Sequence, residues 1–395
     1  MPWKECTRVE ERLRFVARIL EGEKMASVCR EFGISRKTGY KIFNRYKDCG
    51  LEGLADQSRR PHRSSRRLAF QLERTIIGIK REYPSWGAAK IREKLLRQYP
   101  DIKPPAKSTV HAVLERHGLV KRRKKSRYKA QGTPLSDTNW PNGLWCADYK
   151  GQFLLGNKRY CHPLTISDYS SRYLLACEGL ESTKEALAFT VFERVFKEYG
   201  LPTAIRTNNG VPFAVPHALF GLSRLSVWWL RLGIQIERIA PGKPTQNGRH
   251  ERIHLTLKKE ATKPASYNFL QQQARFDDFV DIYNNERPHQ ALAMKFPAEV
   301  YTPSAREYHP PAPPHYPFHD TAVRVTQCGR ICIGRRKINL SVVFAGQTVG
   351  IKEVADQVWL VSFMDFDLGF FDEQDNRVAA ADNPFQTKVL PMSSV

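Results

Sequence analysis

The stretch GLWCADYKGQFLLGNKRYCHPLTISDYSSRYLLACEGL, residues 143–180, decides the fold of this chain. Its short apolar runs are interrupted by turn-forming residues at 156–157 and 168–171, a pattern that predicts three strands joined by tight connections. An amphipathic stretch then predicts a helix that ends at Gly200. The run AIRT at 204–207 predicts a short buried strand, and further helical and strand-like stretches follow it. Three strands followed by alternating helices and strands predict a mixed α/β sheet.

The composition is strongly basic, and the basic residues are concentrated near the N-terminus. The chain has 395 residues and a formal net charge of +23. Residues 1–130 contain 34 of the 63 Lys and Arg residues but only 14 of the 40 Asp and Glu residues. This first third therefore predicts a polyanion partner, with nucleic acid ahead of a membrane surface. The alternative is a basic surface that serves only solubility.

Several features of the sequence favour a cytoplasmic protein without a membrane partner. No apolar run reaches the ~18 residues that a membrane-spanning helix needs. The N-terminal stretch MPWKECTRVEERLRF lacks the apolar core of a signal peptide. The eight cysteines are scattered and form no CxxC pair, which predicts reduced thiols.

The basic first third shows two helix-turn-helix patterns in tandem. In domain 1–55, a helical stripe precedes a short helix, a turn at Gly33 and a further helix that begins after Ser35. Domain 69–120 repeats three helices and closes at Gly118. The start of the last helix in such a unit enters the major groove, although any three-helix bundle can show this spacing. The candidate DNA contacts are Arg36, Lys37, Tyr40 and Lys41 in the first unit and Lys107, Ser108 and His111 in the second.

Basic linkers are predicted on either side of the second unit, at 56–68 and 121–138. The run KRRKKSRYKA at 121–130 carries seven basic residues and no acidic one. It is either a solvated linker or a segment that tracks phosphates or enters the minor groove. Its candidate DNA contacts are Lys121, Arg122, Arg123, Lys124 and Lys125.

The C-terminal part predicts a third kind of domain. After the mixed α/β core at 139–301, residues 302–320 are rich in proline and are typical of a linker. Residues 321–380 contain many short alternating apolar runs, which predict a small SH3-like β-barrel. Residues 381–395 form a tail.

Three polar residues that are far apart in the sequence are predicted to meet in the core. Asp148 lies in the first strand, Asn208 follows the fourth strand, and Glu251 lies on a later helix. The first and fourth strands can lie side by side, and the late helix can cross their ends. Side chains that converge in this way bind two Mg²⁺ ions about 4 Å apart, which activate a nucleophile and stabilise the leaving oxygen of a phosphodiester. Asp168 is an alternative carboxylate, but its position in DYSS is typical of a turn.

The chain resembles bacterial insertion-sequence transposases of the DDE superfamily, which share a retroviral-integrase-type core with an RNase H-like fold. The resemblance rests on the motifs LWCADYK, IRTNNGVPF, PGKPTQNGRHERIHLTLK and YNNERPHQAL. It implies that Asp148, Asn208 and Glu251 occupy the three catalytic and metal-ligating positions. In the last motif, Arg287 and His289 either orient the Glu251 helix or anchor the tail. Four polar residues around the beginning of the Glu251 helix are expected to line the site and hold the DNA end. The alternative is that they only form a polar entry to that helix. They are Lys243, Gln246, Asn247 and Arg249.

The chain departs from the family pattern at one catalytic position. The pattern is Asp, Asp, Glu, and its second Asp is Asn208 here, while the flanking Thr207, Asn209 and Gly210 match. An amide removes one of three formal charges from a site that holds two divalent ions. We therefore expect weak metal binding and impaired strand cleavage, with folding and DNA binding intact. Such an isolated change fits either a natural loss or a deliberate substitution.

A second metal motif competes for Glu251. HERIH at 250–254 is a formal HExxH, the signature of zinc proteases, with His250 and His254 one helical turn apart. The further ligand of the extended signature is missing, and a protease does not explain the basic first third. The zinc protease is therefore a remote alternative.

The resemblance implies a DNA transposase with a defined set of partners. These are the terminal inverted repeats of an element, target DNA, and further copies of the chain in a homodimer or larger synaptic assembly. It implies Mg²⁺ as the cofactor, with Mn²⁺ as a substitute, and a place in the bacterial cytoplasm at the nucleoid. The chief alternative is a non-catalytic DNA-binding regulator derived from a transposase.

Overall fold

A computed structural model describes residues 7–56, 68–120, 135–372 and 377–385. The chain divides into two compact units, one up to Ala69 and one from Phe70 onward. The basic run at 121–125, most of both basic linkers and the end of the tail lie outside the described residues. Within the described ranges, no helix is both long and apolar enough to cross a membrane.

The N-terminal unit is a three-helix bundle of the predicted helix-turn-helix kind. Gly33 lies between the second and third helices at a φ of +63°, a conformation that glycine adopts without strain. The Ser35 hydroxyl accepts a hydrogen bond from the Thr38 backbone N–H and so caps the third helix. Phe15 and Val28 lie in its buried core. The helices are α1 (Arg8–Leu20), α2 (Met25–Glu31) and α3 (Arg36–Cys49).

The second unit begins with three more helices, which confirm the predicted repeat of the helical pattern. They bury one apolar face each, with Ile76, Ile91 and Val110 fully inside. Tyr83 stacks on Trp86 with 4.0 Å between ring centroids. The helices are α4 (Phe70–Glu82), α5 (Ala88–Gln98) and α6 (Lys107–Arg116).

A mixed sheet forms the centre of the second unit, as predicted. Its strands are β1 (Leu144–Tyr149), β2 (Phe153–Leu154), β3 (Tyr160–Asp168), β4 (Leu174–Leu180), β5 (Ala204–Thr207) and β6 (Gln235–Arg238). Strand β1 lies antiparallel to β3 on one side and parallel to β5 on the other. Strand β4 pairs antiparallel with β3, and β6 pairs parallel with β5. The short β2 pairs with the beginning of β3.

Helices cover the sheet and enclose its core. Trp145 and Ile205 of the sheet pack with Phe192 and Phe196, which lie on the helix that follows β4. They also pack with Trp229, which lies on the helix that follows β5. These large apolar side chains remove most of the sheet from water, which is the main favourable contribution to folding. The helices are α7 (Glu185–Tyr199), α8 (Arg224–Arg231), α9 (Gly248–Glu260) and α10 (Phe269–Asp281), and a π-helical turn at Ile282–Glu286 follows the last.

The C-terminal part contains strands but no closed barrel within the described residues, so the SH3-like prediction is not confirmed. Five strands form an open antiparallel sheet, and two further strands form a separate hairpin. The sheet packs on Phe220 and Leu230 of the core, which cover its apolar face in place of barrel closure. The strands are β7 (Thr321–Arg324), β8 (Arg330–Ile333), β9 (Arg336–Asn339), β10 (Thr348–Ala355), β11 (Val358–Phe363), β12 (Phe366–Asp372) and β13 (Ala379–Ala380).

The proline-rich segment before this sheet is irregular, as predicted, but it is tied to the core. The Arg306 guanidinium donates to the backbone oxygens of Pro202 and Leu232 at 2.7 and 2.9 Å. The Ser304 hydroxyl donates to the Leu201 oxygen at 2.7 Å. The segment therefore lies against the core instead of spanning free solvent.

The tail motif YNNERPHQAL connects helices α4 to α6 with the core. Glu286 accepts hydrogen bonds from the Tyr83 hydroxyl at 2.6 Å and from the Lys94 ammonium group at 2.5 Å. Arg287 pairs with Glu260, the last residue of α9, at 2.7 Å. The motif thus contacts both the second helical module and the helix that carries Glu251.

Candidate active site

The parallel pairing of β1 with β5 brings two of the three candidate residues together. Ala147 lies opposite Thr207 in this pairing, so the next residues, Asp148 and Asn208, leave the sheet at the same edge. The Asn208 side-chain nitrogen donates a hydrogen bond to an Asp148 carboxylate oxygen at 2.6 Å. Both side chains are partly buried.

Two contacts fix the orientation of the Asn208 amide. Its NH₂ group faces Asp148, because a carboxylate can only accept a hydrogen bond. Its oxygen accepts from the Gly210 backbone N–H at 3.0 Å. The amide therefore turns a hydrogen-bond donor, and not a ligand oxygen, toward the carboxylate.

The third residue, Glu251, approaches from α9, which packs across β1. Burial raises the pKa of the Asp148 carboxyl from its ordinary 3.8 to about 6. The Tyr149 backbone N–H acts in the opposite direction, and the negative charge of Glu251 raises the pKa further. Asp148 and Asn208 therefore meet at one edge of the sheet, and Glu251, whose charge acts on Asp148, is exposed on α9.

This set fits a divalent cation only in part. Asp148 and Glu251 offer the hard carboxylate oxygens that Mg²⁺ prefers. Asn208 offers no charge and presents its nitrogen. Throughout the described ranges, no three His, Cys, Asp or Glu side chains are grouped so as to hold a metal ion. A carboxylate at position 208 is what the pocket lacks for a three-carboxylate site.

The two histidines of the HExxH motif are used in the protein interior. Both ring Nε2 atoms lie within hydrogen-bond distance of the Thr165 hydroxyl, at 2.8 Å for His250 and 2.7 Å for His254. The Nδ1 atom of His250 lies 2.8 Å from the Ser167 hydroxyl. Burial lowers the pKa of both histidines, to about 3 for His254. Both rings are therefore neutral, and their contacts are those of a helix anchor.

A buried arginine organises the loop that leads into α9. Arg206 of β5 is 1% exposed and pairs with Glu237 at 2.8 Å. Its guanidinium also donates to the Gln246 backbone oxygen at 3.3 Å and lies 4.9 Å from the Tyr169 ring centroid. The charge is thus satisfied inside the protein, and its contacts hold the beginning of α9 against the sheet.

The predicted DNA contacts of the helical units all lie on exposed surface. Within α3 these are Arg36, Lys37, Tyr40 and Lys41, and within α6 they are Lys107, Ser108 and His111. Each set lies in the first turns of the last helix of its unit. That arrangement leaves the side chains free to reach a nucleic acid.

The residues predicted to line the site are placed differently from one another. Lys243 is exposed, and Arg249 lies over the Tyr169 ring with 3.8 Å from its guanidinium carbon to the ring centroid. The Gln246 side chain accepts from the Ala240 backbone N–H at 2.7 Å and so supports the loop. Asn247 is 3% exposed, which places it inside the fold and out of reach of a DNA end.

Asp168 and the tail residues take the structural positions that their sequence context suggested. Asp168 is buried and accepts hydrogen bonds from the Asn142 and Ser171 backbone N–H groups, both at 2.8 Å. It therefore stabilises the β3–β4 turn. Arg287 contacts the end of α9 through Glu260, and His289 packs on Tyr283 at 4.9 Å between ring centroids.

Four further residues shape the site and were not predicted from the sequence. Thr165 and Arg206 are polar residues next to buried apolar residues in their strands, and such polar residues are a recognisable signal. Lys150 follows Asp148 by two residues, and burial together with Lys258 lowers its pKa. Lys150 places positive charge near the Asp148 carboxylate, and Lys258 lies close enough to Lys150 for the two charges to repel.

Comparison with known families agrees with this architecture. A family model described as an integrase core domain matches residues 232–297, which include Glu251 and the tail motif. A helix-turn-helix domain matches residues 11–62, and a homeodomain-like domain matches residues 38–114. The fold and these matches define an integrase-core protein with helix-turn-helix modules.

The curated relatives come from insertion elements. The chain is 24% identical over 285 residues to the uncharacterized 39.2 kDa protein of insertion element IS476 of Xanthomonas euvesicatoria, covering 71% of this chain and 79% of the relative. It is 26% identical over 212 residues to the uncharacterized 31.7 kDa protein of insertion element IS407 of Burkholderia multivorans, covering 48% and 73%. These matches support a bacterial insertion-sequence transposase of the integrase-core, or DDE, superfamily.

Solved integrases show weaker structural similarity. The HTLV-2 integrase catalytic core domain in complex with magnesium has a TM-score of 0.33 and 14% identity, over 41% of this chain and 98% of that one. The integrase of a simian T-cell lymphotropic virus intasome in complex with PP2A regulatory subunit B56 gamma has a TM-score of 0.37 and 14% identity, over 78% and 99%. Similarities this weak carry no weight in the assignment.

The raised pKa of Asp148 predicts a pH-dependent stability effect. Because the folded pKa of about 6 exceeds the ordinary 3.8, ionised Asp148 makes folding less favourable as the pH rises from about 4 to about 6, and the penalty is complete above that window. In metal-free buffer, Asp148→Asn should therefore raise the free energy of unfolding, by roughly 1 kcal/mol more at pH 8 than at pH 5. Urea unfolding with EDTA at the two pH values measures this difference.

The control is Asp101→Asn, which changes an exposed carboxylate in the same way. Its effect on unfolding should be the same at both pH values. A stabilisation by Asp148→Asn that does not grow with pH would contradict the assigned pKa.

Proposed function

We propose that the chain is a DNA transposase that binds the terminal inverted repeats of its element, cleaves the 3′ ends and joins them to target DNA. The observation that supports the proposal is the meeting of Asp148 and Asn208 at one sheet edge, where the Asn208 side-chain nitrogen lies 2.6 Å from an Asp148 carboxylate oxygen, together with the effect of the Glu251 charge on the pKa of Asp148. Carboxylate oxygens at the edge of a sheet suit metal-assisted phosphoryl transfer.

The protein groups have separate roles in the proposed chemistry. When bound, two Mg²⁺ ions, or Mn²⁺ in their place, lower the pKa of the attacking hydroxyl and stabilise the leaving oxygen. Asp148, Glu251 and a carboxylate at position 208 would hold them. Lys150 supplies positive charge near Asp148, and Lys150 and Lys258 would orient the scissile phosphate. Exchange of one phosphodiester for another needs no external energy source.

The helical modules would bring the element ends to this site. The exposed residues at the beginning of α3 and α6 supply the proposed contacts to double-stranded DNA. The exposed Lys243 and the partly exposed Arg249 remain proposed contacts to the DNA end, whereas the buried Asn247 is left out. The basic run 121–125 is a further proposed phosphate contact. A homodimer or larger assembly would pair two ends.

One observation favours a second function. In this chain the Asn208 amide satisfies Asp148 with a hydrogen bond, so the pocket is balanced without a metal ion. A chain with this site would bind DNA without cutting it, and would act as a regulator of transposition. We propose that the chain as it stands is catalytically impaired for this reason.

Restoring the missing carboxylate separates the two functions. Asn208→Asp should give Mg²⁺-dependent nicking of terminal-repeat DNA at least about 100-fold above that of the unchanged chain, a size typical of restoring one group that stabilises transition-state charge. Nicking is measured on end-labelled duplex with and without Mg²⁺. The matched control carries Asn208→Asp together with Asp148→Asn and should be inactive. A folded, DNA-binding N208D protein without nicking activity would leave only the regulator.

Helix α3 provides a test of DNA recognition. Arg36→Ala combined with Lys37→Ala should weaken binding to terminal-repeat DNA by roughly 10- to 100-fold and lower its dependence on salt concentration, because two cations leave the interface. Fluorescence anisotropy over a salt series measures both effects.

Lys47→Ala is the control, because Lys47 is an exposed cation in the last turn of the same helix. It should leave the affinity within about twofold. Equal losses in both proteins would assign the effect to net charge and contradict recognition by the beginning of α3.

A further inference from the structure

The two histidines of the HExxH motif share one hydroxyl group next to the candidate active site. The β1–β3 register places Thr165 directly opposite Asp148. Thr165 is fully buried, and its hydroxyl donates to the Asp148 backbone oxygen at 3.1 Å. The same hydroxyl lies within 2.8 Å of the Nε2 atoms of His250 and His254.

Only one arrangement of hydrogen atoms satisfies all three contacts. The Asp148 carbonyl can only accept, so it takes the single hydroxyl hydrogen of Thr165. The two lone pairs of the hydroxyl then accept from the two imidazoles, which must both carry their hydrogen on Nε2. His250 Nδ1 is left as an acceptor and faces the Ser167 hydroxyl at 2.8 Å. Burial, which keeps both rings neutral, agrees with this assignment.

These hydrogen bonds link the two sides of the active site. His250 and His254 lie one turn apart on α9, so together they fix the rotation of that turn about the helix axis. Glu251 lies between them in the sequence and points outward. The same Thr165 hydroxyl that binds both histidines also bonds to the backbone oxygen of Asp148. The position of one candidate carboxylate is therefore tied to that of the other.

We propose that Thr165 is a positioning residue that sets the distance between Glu251 and Asp148 through His250 and His254. This inference rests on the proposed function, because it concerns the geometry of the same site. It also gives the HExxH motif a role that needs no zinc. The apolar contacts of α9 through Ile253 and Leu257 keep the helix packed when the hydroxyl is removed.

The substitution that isolates the hydroxyl is Thr165→Val, made together with Asn208→Asp. It keeps the shape of the side chain and leaves both imidazole N–H groups without their acceptor. We expect kcat for nicking to fall by about 10- to 100-fold at saturating DNA and Mg²⁺, with KM for DNA within about twofold, because a small displacement of a reacting group lowers the rate and not the binding. Thr165→Ser restores the hydroxyl and should recover kcat to within about threefold.

Thr262→Val in the same N208D background is the matched control. Thr262 is also buried, next to the end of α9, and its hydroxyl bonds only to the Lys258 backbone oxygen, at 3.1 Å. It should leave kcat unchanged even where Tm falls as much as in Thr165→Val. Equal kcat values for Thr165→Val and Thr165→Ser, or an equal loss in Thr262→Val, would overturn the positioning role.

A second readout does not depend on activity. In the unchanged chain labelled with ¹⁵N-histidine, NMR should show both rings as neutral Nε2–H tautomers, with both signals shifted by Thr165→Val. Failure of every N208D protein to nick DNA would overturn the proposed function. The histidine tautomers would still show whether His250 and His254 both donate to the Thr165 hydroxyl. An Nδ1–H tautomer or a charged ring at either position overturns it.

Discussion

The parallel pairing of β1 with β5 is the constraint on which the site depends. Parallel strands end at the same edge of a sheet, so residues that follow them are neighbours however far apart they are in the sequence. Here the register Ala147–Thr207 places Asp148 next to Asn208 across 60 residues of chain. The antiparallel β1–β3 register adds Thr165 beneath Asp148 and so provides the attachment point for α9.

Asn208 changes the electrostatics of this edge more than its shape. A carboxylate at that position would place a further negative charge beside Asp148, whose pKa is already raised by burial and by Glu251. Like charges in such a site repel unless cations neutralise them. The Asn208 amide instead donates a hydrogen bond to Asp148, so no cation is needed to neutralise a second carboxylate. One side chain thus distinguishes a pocket that requires metal from one that is stable alone, while the surrounding fold stays the same.

The sequence predicted the framework of the protein well, because periodicity and turn residues report local structure. The mixed sheet, both helical units and the meeting of Asp148 with Asn208 follow from such patterns. Closure of the C-terminal strands was not predictable, since it depends on which surface covers their apolar face, here Phe220 and Leu230. The roles of His250 and His254 also depend on a partner 85 and 89 residues away in the sequence, which no local pattern reveals.

We propose that residues 148, 208 and 251 form one cation-binding pocket once position 208 carries a carboxylate. Crystals of the N208D protein soaked in Mn²⁺ test it most directly, because anomalous scattering locates the ions independently of any activity. We expect two Mn²⁺ peaks about 4 Å apart, enclosed by these three side chains, and weaker occupancy in the unchanged chain. Carboxylates too far apart to share an ion, or a peak at His250 and His254 instead, would contradict it.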